Sequence, residues 1–363
     1  MGKKSGKSLA EKYNDFLEPC VQIITSAGEI PSGEGICLEK AEVISSVGPE
    51  PDMAIVTYRA DKYAEQDFTR VEKYLDAGQK VEIKAGYGNQ VSTVFLGYLH
   101  QVEMEDFLQE YVVYTLICLD VKGLMMKNNL YCTSGDRKAG QVLKDILNDG
   151  RYGDFVKGRT IETLPEKLNP DCVFAGETHY DWVCALASRM DYEFFCGGGN
   201  MVFRKARKTG GDMVELSVDY GLQRIRGSVS MAGQTGCIQI RGYNRQDKEI
   251  SGKADRPGVP GPFTAKLKQS LEKHMLVYQD LELDTQEEAE KRAKALTDRM
   301  AGKCTRIEAV TIGLPELLPG ICAEIIHGEA PSLSGKIYVE EVCHLLDEGG
   351  YTTSVAGARI PDT

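Results

Sequence analysis

Gly78-Gln79-Lys80-Val81-Glu82-Ile83-Lys84-Ala85-Gly86 and Gly320-Ile321-Cys322-Ala323-Glu324-Ile325-Ile326-His327-Gly328 decide how this sequence is read. Glycine, glutamate, isoleucine and glycine recur at the same four offsets (Gly78, Glu82, Ile83, Gly86 against Gly320, Glu324, Ile325, Gly328). Each stretch leads to a glycine and an apolar strand pattern, Gly97-Tyr98-Leu99-His100-Gln101-Val102 in one case and Gly335-Lys336-Ile337-Tyr338-Val339-Glu340 in the other. Each then closes on a further strand, starting Tyr111-Val112-Val113 or Tyr351-Thr352-Thr353. The same order of parts twice, on either side of an α-containing segment, predicts one β-domain used twice in the chain. Coincidence is the alternative, because strand–turn–strand units are common and 38 of the 363 residues are glycine.

Residues 18–124 are mostly of period two. Val21-Gln22-Ile23-Ile24-Thr25, Met53 to Tyr58, Val81-Glu82-Ile83, Val91 to Phe95 and Tyr111 to Asp120 are short β-rich runs separated by Gly, Pro and Asp. They read as antiparallel strands of a first barrel or sandwich. Residues 125–212 change period. Ala139, Val142, Leu143, Ile146 and Leu147 share one helix face, with Gly150 as the stop signal. Thr178, with Asp181 three residues on, is an N-cap for a second helix whose one side carries Trp182, Ala185, Leu186, Arg189 and Met190. Tyr192 to Phe195, the turn Gly197-Gly198-Gly199-Asn200 and Met201-Val202-Phe203 make a hairpin, so this segment is an α/β insert.

Strand patterns return at Met213 to Val218 and Cys237 to Tyr243, and 213–243 with 302–358 form the expected second barrel. Between them lies 244–301, a Gly/Pro-rich linker (244–263) and a helix capped at Asp284/Thr285. Glu287 and Glu288 occupy the first turn of that helix, and Ala289, Ala293, Leu296 and Met300 form an apolar stripe that packs on a sheet. The ends, 1–17 and 359–363, read as a flexible basic N-terminus and a tail. The fold class is α+β, mainly β, with two related tube-type barrels, an α/β insert between them and a helix-bearing insert in the second.

Composition bounds the function. Apolar residues make up 42% and charged residues 27%, enough for real cores and against disorder. Fifty-four acids against 43 bases leave a net charge of −11, which disfavours general binding to a phosphate backbone. The longest apolar runs, such as Tyr111-Val112-Val113-Tyr114, are too short to cross a bilayer, and the N-terminus lacks the apolar stretch of a secretory signal. Eleven cysteines without CxxC pairs, among them Cys118, Cys184, Cys237 and Cys343 in apolar patterns, read as reduced, buried thiols.

Candidate chemistry fails on spacing. Gly2-Lys3-Lys4-Ser5-Gly6-Lys7-Ser8 has three residues, not four, before Gly-Lys and no strand to anchor a phosphate loop. Gly197-Gly198-Gly199 opens no helix. His100, His179, His274, His327 and His344 form no ligand spacing, and His179 with Cys184 supplies two ligands at most. No nucleophile elbow or singled-out thiol occurs. Glu103-Met104-Glu105-Asp106 and Glu287-Glu288 read as solvated turn and helix-start charges rather than paired catalytic carboxylates. The basic run Arg204-Lys205-Ala206-Arg207-Lys208 lacks interleaved aromatics and reads as a solvated loop or a patch for an acidic protein neighbour. No catalytic, cofactor-binding or metal-binding residue is assigned, no cofactor is expected, and the chain is not expected to be an enzyme.

The same residues resemble a family, the late-control D proteins of contractile-tailed phages and the hub-like N-terminal part of VgrG spikes. Val94-Phe95-Leu96-Gly97-Tyr98-Leu99 is similar to the family's F-x-G-x-[IV] strand, and Asp181 to Phe195 resembles its L-A-x-R-x-G-Y-x-F helix-into-hairpin, with Asp191 where the family has glycine. Ala289 to Met300 followed by Leu318-Pro319-Gly320 resembles A-x-A-L…P-G, and Ser334 to His344 with Gly350-Tyr351-Thr352-Thr353 resembles the closing G-x-Y-x-V-x-x-V-x-H…G-[YF]-x-[TS]. The resemblance spans about residues 15–358, and the order of the motifs gives it its specificity. It implies a baseplate hub, trimeric, adapting a threefold spike to a sixfold tail tube, made in the bacterial cytoplasm and assembled into a virion or injection particle.

The implied partners are two further copies, a separate spike protein, tail-tube or tube-initiator proteins, baseplate wedge proteins and a tape-measure protein, with no membrane anchor and no specific nucleic acid. Because no OB-fold, needle or lysozyme domain follows the second barrel, the spike is expected on another chain. The inserts are expected outside the ring, and the acidic balance is expected to keep polyanionic cargo off the lumen wall. The competing readings are a carbohydrate- or peptidoglycan-binding β-protein, poorly served by one Trp, and a β-barrel hydrolase. Phage, phage-tail-like bacteriocin and other injection systems are not distinguished by the sequence.

Overall fold

A computed structural model describes residues 3–63, 68–129, 137–165, 176–211, 213–243, 248–258, 261, 264–280, 283 and 285–360. The chain starts with β1 (Lys3–Lys4) and α1 (Gly6–Lys12), followed by β2 (Pro19–Thr25), β3 (Gly28–Glu29), β4 (Ile36–Ser46), β5 (Met53–Asp61), β6 (Lys80–Tyr87), β7 (Gln90–Asp106) and β8 (Tyr111–Asp120). After α2 (Val121–Met125) come α3 (Ala139–Leu147), β9 (Gly158–Ile161), α4 (His179–Met190), β10 (Tyr192–Gly197) and β11 (Asn200–Lys205). β12 (Met213–Ser217) and β13 (Leu222–Val229) precede β14 (Cys237–Tyr243), β15 (Glu249–Asp255), α5 (Leu267–Leu271), β16 (Met275–Gln279) and α6 (Gln286–Gly302). The last strands are β17 (Thr305–Ile312), β18 (Cys322–Ile326), β19 (Gly335–Asp347) and β20 (Gly350–Arg359). The fold is mainly β with segregated helices, of the α+β class.

Two six-strand units share one order. Hydrogen-bonded neighbours run β4-β5-β8-β7-β6-β2 in the first and β13-β17-β20-β19-β18-β12 in the second, so strands taken in chain order occupy the same places. The irregularities match as well. A bulge at Glu39 in the β4–β5 ladder has its counterpart at Gln223 between β13 and β17. One at His100 between β7 and β8 corresponds to Glu340 between β19 and β20. A bulge shifts every later pair by one residue, so two coincident bulges fix the alignment of the units strand by strand.

The repeated motif falls on that alignment. Lys80 faces Tyr98 and Cys322 faces Tyr338, which makes Glu82 and Ile83 the counterparts of Glu324 and Ile325. Gly78 donates its N–H to the Leu99 carbonyl at 2.7 Å, and Gly320 donates to Val339 at 2.8 Å. Both glycines have positive φ, +89° and +82°, a conformation that costs other L-residues energy. The following glycines are not equivalent, a correction to the reading of Gly97 and Gly335. In register Gly97 matches Ile337 and Tyr98 matches Tyr338, and Val112 rather than Tyr111 matches Tyr351. One pairing also differs in sense, since β2 runs antiparallel to β6 while β12 runs parallel to β18.

The units are not separate closed barrels. The C-terminal half of β19 pairs antiparallel with β4, from Glu341 opposite Ser46 to Leu346 opposite Ala41, and merges both units into one 14-stranded sheet. Among the described residues no ladder joins β2 to β4 or β12 to β13, so neither unit is closed by hydrogen bonds. A single apolar core runs through both, from Ile23, Val56, Ile83 and Leu116 to Ile307, Ile325, Val339 and Val355. Inward residues alternate with outward ones along β5 and β8, as period two requires.

The N-terminus closes the seam between the units, so residues 3–17 are not the flexible tail that their charge and small residues predicted. β1 extends the sheet beside β12, Ser5 caps α1 by accepting the Ser8 N–H, and Leu9 and Tyr13 are buried in the shared core. Tyr13 donates its hydroxyl proton to Glu316 at 2.8 Å, and Tyr87 donates to the Gly313 carbonyl at 3.0 Å. A helix of seven residues is too short to hold alone, so tertiary burial rather than propensity fixes it.

The first insert has its own core of α3, α4 and the β10–β11 hairpin, with β9 parallel to β11. Thr178 caps α4 as expected, accepting the Asp181 N–H at 3.0 Å, while α3 ends at Leu147 with an Asn148 cap instead of at Gly150. Asp191 ends α4 at φ +58°, the left-handed position that explains why glycine suits this place. The second insert is larger than predicted. β14 leaves the unit and pairs with β15 and β16 in a three-stranded sheet, and the expected linker contains β15 itself. Continuous polarity in Glu249–Asp255 concealed that strand, because only Ile250 and Gly252 are buried there. α6, with the capping box Thr285/Glu288, lays Ala289 and Ala293 against Ile238, Ile240 and Ile250. Asp284 lies outside the described residues.

The repeated glycines and a buried histidine each set a measurable stability. Gly78→Ala meets no atom within 4 Å and costs about 1–2 kcal/mol for its backbone alone, whereas Gly320→Ala also drives a Cβ to 2.4 Å from the Phe195 ring and costs more. Urea titration of both variants ranks them, and equal loss would contradict the packing. The histidine is His344, buried with Nε2 donating to the Leu317 carbonyl at 3.0 Å and Nδ1 accepting from Tyr351 at 2.9 Å. Burial pulls its pKa down to about 4. The unfolded chain therefore binds the extra proton first, and stability falls as pH drops from about 6.5 to 4, by roughly 3 kcal/mol across the window. Melting temperatures across that window test this, and His344→Gln flattens the profile.

Candidate assembly surface

Among the described residues the sheet leaves two edges open at matching places. β7 continues past the end of β6, so Gln101 to Asp106 are paired there with β8 alone. β13 pairs with β17 and, among the described residues, with no other strand. In the unit alignment these edges correspond to Glu341–Leu346 and Ala41–Ser46, the two segments that pair with each other inside the chain. The bulges at His100 and Glu340 precede the segment 101–106 and its counterpart 341–346, and those at Glu39 and Gln223 precede the other two segments. The outward backbone N–H and C=O groups are therefore in the same phase in both units.

Charge differs between the two open edges. Gln101-Val102-Glu103-Met104-Glu105-Asp106 carries three carboxylates, and Gln223-Arg224-Ile225-Arg226-Gly227-Ser228 carries two guanidinium groups. Exposed apolar groups flank them. Met104 is 63% exposed, Leu108 at the β7–β8 tip 80%, and Met231 just after β13 53%. The turn expected at Glu103-Met104-Glu105-Asp106 is corrected by this placement: the residues are exposed as expected but lie on a strand, and Asp106 pairs with Lys62. A second apolar edge is β16, whose Met275, Leu276, Val277 and Tyr278 are all exposed at the rim of the second insert.

The other singled-out groups are held by intrachain partners. Arg204 donates to Glu193 and to the Gly320 carbonyl, Arg207 pairs with Asp191 at 3.1 Å, and Lys208 pairs with Glu162. Arg204 therefore clamps the insert to the second unit, while Arg207 and Lys208 pair within the insert itself. His179 shares a hydrogen bond with Tyr152 at 2.9 Å, and Cys184 does not join it in a metal site. Among the described residues no group of three His, Cys, Asp or Glu could hold a metal ion, and nine cysteines are free, with two more outside those residues.

One buried ionic group was not singled out in the sequence. Lys122 is wholly buried with Nζ 3.0 Å from Asp52, 3.5 Å from Asp120 and 2.8 Å from the Glu50 carbonyl. Burial pushes the Asp52 carboxyl up to about 7, against the pull of Lys122. Burial opposes the Lys122 charge too, yet Asp120 and Asp52 hold it protonated. This triad ties the β4–β5 turn to the start of α2, where the insert departs. A groove of about 1180 Å³ lies between α4, β4, β17, β19 and β20. Its Arg306 is paired with Glu341 at 2.7 Å and Glu340 at 3.5 Å.

No family model matches the sequence, and no curated protein matches it. Solved structures do share the fold. The 43 kDa tail protein of prophage MuSo2 from Shewanella oneidensis superposes with a TM-score of 0.69 at 15% identity, covering 93% of this chain and 98% of that one. The tail protein from Neisseria meningitidis MC58 gives 0.68 at 11% identity, over 94% and 97%. The Escherichia coli c3393 protein, a type VI secretion component described as structurally similar to the T4 bacteriophage tail proteins gp27 and gp5, gives 0.60 at 10% identity, over 94% and 77%. The fold implied by the resemblance to phage hub and VgrG-type proteins is thus the fold of this chain, shared with phage tail proteins and a type VI secretion component.

Proposed function

We propose that this chain is a structural hub at the centre of a contractile phage tail baseplate or of a phage-tail-like injection particle. The observation that carries the reading is the duplicated unit with matched bulges and an internal β4–β19 ladder. Two alike units per chain become six in a trimer, so a threefold spike can meet a sixfold tube without either partner changing symmetry. The fold shared with phage tail proteins supports the same role.

In this reading the ring of sheets carries the symmetry match and the two inserts lie outside it. The exposed apolar strand β16 suits a neighbouring protein of the baseplate wedge. The tips of the long β7–β8 hairpin, with Phe107 and Leu108 exposed, suit the tube or tube-initiator protein. A spike protein is a further proposed partner, and the tape-measure protein is a candidate visitor to the lumen. The acidic balance of the chain, −11, suits a lumen wall that repels polyanionic cargo. Catalysis plays no part in this reading. Synthesis in the bacterial cytoplasm, with thiols reduced, precedes assembly into the particle.

Sedimentation of the purified chain, alone and with its cognate spike protein, tests the assignment. A trimer whose averaged electron micrographs show six similar lobes is the expected result. A chain that stays monomeric in both mixtures would overturn it.

A further inference from the structure

We propose that neighbouring copies join by pairing β13 of one chain, antiparallel, with residues 101–106 of the next, in the register that the chain already uses between β4 and β19. The inference rests on the trimeric hub reading and adds its contact residues. Within one chain Ser46 faces Glu341, Ile44 faces Cys343 and Glu42 faces Leu345. Carried through the unit alignment, these pairs become Ser230 facing Gln101, Ser228 facing Glu103 and Arg226 facing Glu105. The Val47 N–H, which donates to the Glu340 carbonyl at 2.9 Å beside the bulge, becomes a Met231 N–H donating to His100.

Three independent features agree with this occupant. First, both open edges carry the bulge that sets backbone phase, so donors meet acceptors without any strand shifting. Second, charge is complementary only across the new junction, Arg226 lying opposite Glu105 and Arg224 close to the same acidic edge, whereas like edges would repel. Third, Met104 and Met231, both more than half exposed in the single chain, lie along the two edges that become one interior ladder. An edge strand left unpaired is a site of uncontrolled association, and head-to-tail pairing of these two edges consumes both. Three copies closing on themselves leave neither edge free.

The test uses the full-length chain with exposed Cys37 replaced by Ser. Glu103→Cys with Ser228→Cys places thiols directly opposite each other across the junction, and both positions are exposed in the single chain, so folding is unaffected. Oxidation is expected to give covalent dimers and closed trimers, while Glu103→Cys with Arg226→Cys, displaced along the strand, links poorly. Separately, Arg226→Glu is expected to weaken trimer association by roughly fivefold per junction, and adding Glu105→Arg restores it. A trimer that neither links through 103 and 228 nor responds to the charge reversal would overturn this junction and leave the hub reading intact. A chain that never leaves the monomer would overturn both.

Discussion

The six-residue ladder between β4 and β19 is the interaction on which the rest of the structure depends. It turns two copies of one unit into a single sheet and fixes their relative rotation. Without it the chain would be two linked sheets, each marginal at its edges. With it, the core runs unbroken from the first unit to the second, and the N-terminal helix has a seam to fill. Tyr13, Tyr87 and Tyr351 meet at that seam, their rings 5.3 and 5.9 Å apart. The same ladder also defines what is missing. A repeated unit joined to its twin by one edge must present the complementary edges at its two ends.

The inserts play a different role. Each has its own core, built on α4 in one case and α6 in the other, and the first is fastened to the sheet by charge. Lys122 with Asp52 and Asp120 holds one root of the first insert, and Arg204 with Glu193, Tyr338 and the Gly320 carbonyl holds the other. These groups are buried or nearly so, and desolvation is offset only because each cation has fixed partners. Breaking one side would leave a buried charge alone. Their cost is borne where insert and sheet must keep one geometry, a role that packing of apolar side chains alone defines less sharply.

Much of this was legible from residue types. The offsets of Gly78, Glu82 and Ile83 against Gly320, Glu324 and Ile325 located the repeat, because left-handed glycines and alternating strand residues leave local marks. Thr178 and Thr285 announced their helices for the same reason. What stayed hidden was set by tertiary context. β15 is polar along most of its length and is a strand only because β14 pairs with it. Residues 3–13 look like a soluble tail until a seam exists for Leu9 and Tyr13 to enter. The assembly edges gave least of all. Their open hydrogen-bonding sides follow from which strands are absent beside them, and no single residue reports that. The placement of Arg226 and Glu105 is readable only once the bulges have aligned the two units.

Amide hydrogen exchange on the assembled particle subunit tests the central claim most directly. The outward-pointing backbone amides of residues 225–230 and 101–106, those not already bonded to β17 or β8, should be protected in the trimer to the same degree as their counterparts in 41–46 and 341–346, and should lose that protection on dilution to the single chain while the internal ladder keeps its own. Exchange at the two open edges as fast in the trimer as in the separated chain would show that the copies meet elsewhere and that the internal ladder is not the template of the assembly.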